Sequence, residues 1–143
     1  MSPPDIAPTD KAAALRDVTD ALQKSDVNRA TDIAREALSR GFEHPLFLNL
    51  RAFWLETNND DAASHRDLLR ARELAPDDVP ILNALGLSWG RNGYPREAVE
   101  CFDRVIALQP DFGPAYFNKG WTSEQMGELV MAREAFQRAI NLM

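Results

Sequence analysis

The sequence predicts an all-α fold built from stacked helix-turn-helix hairpins, and three observations predict it. Residues 79–110 read as two helices. Leu82, Leu85, Gly86 and Trp89 fall at i, i+3, i+4 and i+7 along one stripe, and Ala98, Cys101, Phe102, Val105 and Ile106 form a second stripe after a break at Asn92-Gly93. Shifting this template by thirty-four residues in either direction finds it again without a gap. Gly86 then falls on Gly120, Ala52 and Val18; Ala98 on Ala132, Ser64 and Ala30; Val105 on Ala139, Ala71 and Ala37. Ten of these twelve positions are Gly, Ala or Ser, residues that make up only about a quarter of ordinary sequence, so the columns reflect packing and not chance. Finally, no segment carries strand-like alternation over a useful length.

Taken in order, residues 1–10 are polar and proline-rich and read as a flexible tail, neither a signal peptide nor a spanning helix. A first helix runs over about 11–24, and Ser25-Asp26 turns the chain into a second that ends near Arg40, with Gly41 supplying a left-handed cap. Helices over about 45–57 and 61–74 follow, joined by Asn58-Asn59-Asp60-Asp61, a turn with a ready N-cap. In the third hairpin Pro95 fits the first turn of its helix, where a missing N–H costs nothing, and Pro110 ends that helix after Leu108. Gly86 and Ala98 are small because helices joined by so short a turn cross closely. The last hairpin covers about 114–126 and 129–142, joined at Gly127. Asp77-Asp78 and Asp111 each precede a helix start, where carboxylates cap free N–H groups and oppose the dipole, so they read as caps and not as a metal or acid-base pair.

The thirty-four-residue helix-turn-helix period, with small Ala52, Gly86, Ala98, Gly120, Ala132 and Ala139 set against large Phe102 and Phe136, resembles the tetratricopeptide repeat (TPR) family. The resemblance covers residues 11–143 as a single domain of about four repeats, 11–44, 45–78, 79–112 and 113–143. The third repeat carries it best. The second departs at Arg51 and Arg72, and the first at Asp17, Arg40 and Phe42. Membership implies a right-handed superhelix whose first helices line a concave face. Carried over column by column, that face holds Asn49, Phe53 and Thr57, then Asn83, Leu87 and Arg91, then Phe117, Asn118, Trp121 and Gln125, with Arg16, Thr19 and Gln23 from the first repeat.

An amide row beside an apolar row suits an extended peptide or a partner helix, because amides pair with backbone and aromatic residues anchor side chains. The resemblance thus implies a protein-interaction scaffold. The lysine-rich clamp with which some family members hold chaperone tails is absent: the relevant columns hold Pro114 and Asn118 in one frame, and Ile81 or Pro80 with Ala84 in the other. An alternative expectation is the amino-terminal module of a larger bacterial enzyme, of sulfotransferase, aspartyl hydroxylase or glycosyltransferase type, with its catalytic domain elsewhere.

Composition points the same way. The chain has 143 residues, 45% of them hydrophobic, enough for one continuous core if the repeats stack. Sixteen basic and twenty-two acidic side chains give a net charge of −6, which argues against nucleic acid or an anionic membrane as partner. The lone Cys101 sits in a buried column and reads as core filler. His44, between repeats, and His65, on an outward column, have no partner at metal-ligand spacing, and no phosphate loop or nucleophile elbow occurs. The chain is therefore expected to be a non-enzyme without metal or cofactor, and a cytoplasmic location is expected from the lack of a secretion signal. The last hairpin is expected to leave Phe136, Ile140 and Met143 open for a homodimer or for a capping helix of a longer parent.

Overall fold

A computed structural model describes residues 10–143. These residues form eight helices and no strand: α1 Lys11–Gln23, α2 Val27–Ser39, α3 Pro45–Thr57, α4 Asp61–Leu74, α5 Val79–Arg91, α6 Pro95–Leu108, α7 Gly113–Gln125 and α8 Leu129–Leu142. The expected tail lies outside the described residues except Asp10, which is no tail residue: its carboxylate accepts the Ala13 N–H at 2.7 Å and caps α1. The helices divide into two compact units, α1–α4 and α5–α8. Within each, consecutive helices pair as antiparallel hairpins, and the second helix of one hairpin packs on the first helix of the next.

All four hairpin turns solve the same geometric problem in the same way. Ser25, Asn59, Gly93 and Gly127, thirty-four residues apart, adopt left-handed backbone with φ of 58°, 64°, 86° and 77°. The N–H one residue further on reaches back five residues to a helix carbonyl, from Asp26 to Ala21, Asp60 to Leu55, Tyr94 to Trp89 and Glu128 to Ser123, at 2.8–2.9 Å. This is a Schellman closure, and it explains why glycine or asparagine fills three of the four positions. Asp26, Asp60 and Asp78 then cap α2, α4 and α5 by accepting the N–H three residues on.

Two of the acids expected as caps do other work. Asp77 accepts from Arg104 Nη2 at 2.7 Å, the same relation that Glu43 has with Arg70 one repeat earlier. Asp111 does not cap α7, whose N-cap is Phe112 with no side-chain bond. A cap that was not anticipated is His44, whose Nδ1 accepts the Leu46 N–H at 3.0 Å at the start of α3. His65 is half-buried rather than outward-facing.

Hairpin packing rests on a close approach of helix backbone to an aromatic ring. A β-carbon on Gly86 would stand 2.5 Å from Phe102 Cε1, and one on Gly120 would stand 2.8 Å from Phe136 Cδ1. The same two positions hold Ala52 with Leu68 and Val18 with Ala34 in the earlier repeats, all of them buried. As the first residue grows the second shrinks, so each crossing is filled without overpacking. Ala98, Ala132 and Ala139 are likewise buried, as is Cys101. Arg51, out of place in an apolar column, has a partner there: its Nε and Nη2 each donate to Asp67 at 2.7 Å, and that bond raises the Arg51 pKa. One repeat later the same pair of positions holds buried Leu85 and Cys101.

Two expected outcomes follow from these contacts. Gly86→Ala should destabilise the protein by about 1–3 kcal/mol through collision with Phe102. Combined with Phe102→Leu, which recreates the Ala52 and Leu68 arrangement, it should cost clearly less than the sum of the single changes; strict additivity in urea unfolding would show that the two residues do not share the crossing.

His44 predicts a pH effect. Burial is the main cause that lowers its pKa, with Lys11 adding to it, and protonating Nδ1 would remove the acceptor that caps α3. A folded-state pKa below the unfolded value means the unfolded chain binds the extra proton, so this contribution is full above about pH 6.5 and fades as pH falls below it. The melting temperature of the wild type should drop from pH 7.5 to 5 by more than that of His44→Asn, since an asparagine cap does not titrate. Equal drops would refute the assignment.

Candidate functional site

In the second unit α5 and α7 lie side by side and bring most of the expected face together. Asn118 Nδ2 donates to Asn83 Oδ1 at 3.1 Å, so the two amides form one linked polar group. That bond uses one donor and one acceptor of the pair, and both residues keep further hydrogen-bonding capacity at a half-buried position. Leu87 on α5 and Trp121 on α7 are 40% and 49% exposed, whereas Ile81, Leu82 and Leu85 of α5 are buried. Phe117 is 49% exposed but leans edge-on against Phe136 of α8, with ring centroids 5.7 Å apart. Arg91 and Gln125, near the ends of the two helices, are exposed. Lys119 ties α7 to α6 through Asp103 at 2.7 Å, which holds the face in register from behind.

In the first unit α3 carries Asn49, half-buried, and Phe53, exposed. Phe53 shares its column with Leu87 and Trp121, so one position of the repeat is exposed and apolar in α3, α5 and α7 alike. Thr57 is less available than its column suggests, because its hydroxyl donates to the Trp54 carbonyl at 2.8 Å; Thr19 does the same to Leu15. Arg16, Thr19 and Gln23 line an open depression along α1 with Leu15.

Sequence reasoning missed a cleft of about 390 Å³ between α2 and α3. Thr31 and Asp32 on α2 and Phe53 and Trp54 on α3 are among its walls, and the Arg35 guanidinium lies 3.6 Å over the Trp54 ring. No signal in the sequence pointed to it, since its residues lie in different columns and meet only when the second hairpin docks on the first. Among the described residues no cluster of His, Cys, Asp or Glu is arranged to hold a metal, and no helix is long and apolar enough to cross a membrane.

A stack of helical hairpins that buries its small residues and exposes an apolar column on its first helices defines a helical-repeat protein. Comparisons with known proteins add a sequence match over one repeat and a shared fold. Residues 101–134 match a tetratricopeptide repeat model. The fold is similar to the crystal structure of MamA, with a TM-score of 0.76 at 19% identity over 94% of this chain and 79% of that one. It is also similar to YrrB, described as a TPR protein with an unusual peptide-binding site, with a TM-score of 0.77 at 22% identity over 93% and 69%. No curated protein matches the chain significantly in sequence. Residues 101–134 therefore resemble a tetratricopeptide repeat in sequence, and the described residues have the all-α hairpin architecture that the sequence predicts.

Proposed function

We propose that this chain is a protein-interaction scaffold that takes an extended peptide or a partner helix on the exposed face of its first helices, chiefly on α5 and α7. The observation that carries this reading is the solvent-exposed Leu87 and Trp121, each about one helical turn after the bonded Asn83 and Asn118 amides. An aromatic anchor beside polar groups that can pair with backbone is the composition of a binding hot spot. Likeness to YrrB, a TPR protein with a peptide-binding site, supports the same reading. Phe53 and Asn49 offer a related surface on α3 of the first unit.

Peptides selected from a random display library against the wild-type chain test it. Trp121→Ala should weaken the selected peptides at least tenfold, the loss expected of a hot-spot aromatic, while leaving the melting temperature nearly unchanged because the residue is exposed. Asn83→Ala should weaken them less and also lower stability, since it leaves Asn118 without its partner. Peptides that bind Trp121→Ala and Leu87→Ala as well as they bind the wild type would sink the assignment of this face.

A second reading, compatible with the first, concerns the outer surface of α7 and α8. There Leu129 and Ile140 are 67% and 61% exposed, beside half-buried Phe136 and with Met143 exposed close by. Glu124 and Arg133 border the same depression. One acid and one base around an apolar strip are self-complementary under a two-fold axis, so the proposed occupant is a second copy of the chain. Multi-angle light scattering should show a dimer that grows with concentration and is lost in Ile140→Glu; a monomer at every concentration would rule this out.

A further inference from the structure

We propose that the cleft between α2 and α3 is a specificity pocket for one cationic side chain, arginine or lysine, of a partner peptide. This rests on the interaction-scaffold reading and deepens it by naming a chemistry and a place for it in the first unit. Three features of the cleft point to a long cation. Its volume of about 390 Å³ lies at the small end of ligand clefts and has room for one extended side chain with its backbone. Val27 on one side, 46% exposed, and Phe53 on the other, 57% exposed, give methylene groups apolar surface to cover among the polar Asn28, Thr31 and Thr57. Asp32 is the only ionised side chain lining the cleft, and it is exposed and makes no ion pair.

The surrounding charges favour the same occupant. Arg35 could have neutralised Asp32 one turn away on the same helix, but its guanidinium is laid 3.6 Å over the Trp54 ring instead. That stacking holds Trp54 upright as the wall and leaves the Asp32 carboxylate for an incoming group. A guanidinium or ammonium would end on that carboxylate, its stem along Phe53, whose ring face adds cation–π attraction. Thr31, 6% exposed at the cleft's base, limits its depth. An acidic side chain would meet Asp32 in repulsion, and a short apolar one would leave the carboxylate unused. The net charge of −6 draws basic segments towards the chain.

The probe is a blocked pentapeptide, Gly-Gly-Arg-Gly-Gly, titrated at low ionic strength into the full 15N-labelled chain and followed by amide and indole shifts. The comparison peptides carry citrulline, which keeps the shape without the charge, or glutamate. Expected are shifts confined to residues 27–32, residues 53–57 and the Trp54 indole. The citrulline peptide should bind roughly fivefold more weakly, and the glutamate peptide should not bind. Asp32→Asn should bring the arginine peptide down to the citrulline level, and Phe53→Ala should weaken both; both side chains are exposed, so neither change disturbs the fold. Equal binding of arginine and citrulline, an unchanged affinity in Asp32→Asn, or shifts only on α5 and α7 would each overturn the inference. Selected peptides that still depend on Trp121 in that case would leave the scaffold reading standing while this pocket falls.

Discussion

The contact that organises this protein is the seating of a ring against bare backbone where the two helices of a hairpin cross. Gly86 under Phe102 and Gly120 under Phe136 leave no room for a β-carbon. Because a protein interior is packed as densely as a crystal, that approach sets the distance and register of the pair, and every other side chain on the two helices takes its place from it. The earlier repeats reach the same end with Ala52 and Leu68, then Val18 and Ala34, dividing one volume differently. Across the four repeats the two positions trade size against each other, so that each crossing is filled.

Around that crossing the chain repeats polar devices as faithfully as apolar ones. A left-handed residue closes each hairpin turn at the same position, and an acid ahead of the first helix grips an arginine on the second, as in Glu43 with Arg70 and Asp77 with Arg104. Exposed ion pairs of this kind contribute little stability each, so their value lies in fixing where one helix starts against its neighbour. Arg51 with Asp67 is different because the carboxylate is buried. Taking that pair out of water is costly, and the next repeat manages with Leu85 and Cys101, so the ion pair gives the second hairpin specificity more than strength.

The interaction surfaces follow from the same geometry. The second helix of a hairpin packs on the crossing, whereas the first helices α3, α5 and α7 each keep one exposed apolar column. That column carries Phe53, Leu87 and Trp121, residues whose exposure has no role in holding the fold together. In the second unit Asn118 and Asn83 are joined to each other, which orients the two amides and, on the proposed function, would lower the entropy lost on binding. In the first unit the proposed pocket between α2 and α3 would add selectivity for charge.

By itself the sequence determined the class of fold, the position of each helix to within a few residues and the small positions at the crossings, because all of these are periodic and each depends on neighbours within one hairpin. The tertiary structure alone decided what depends on contacts between columns. It turned Asp77 from a cap into a partner of Arg104, gave Arg51 its carboxylate, linked Asn118 to Asn83, and built the cleft that joins Asp32 to Phe53 and Trp54. These residues lie sixteen to thirty-five positions apart or on different hairpins. Helical periodicity reports which way a side chain points, whereas the partner it meets is set by how closely and at what angle the next helix docks, and that is a property of the packed chain.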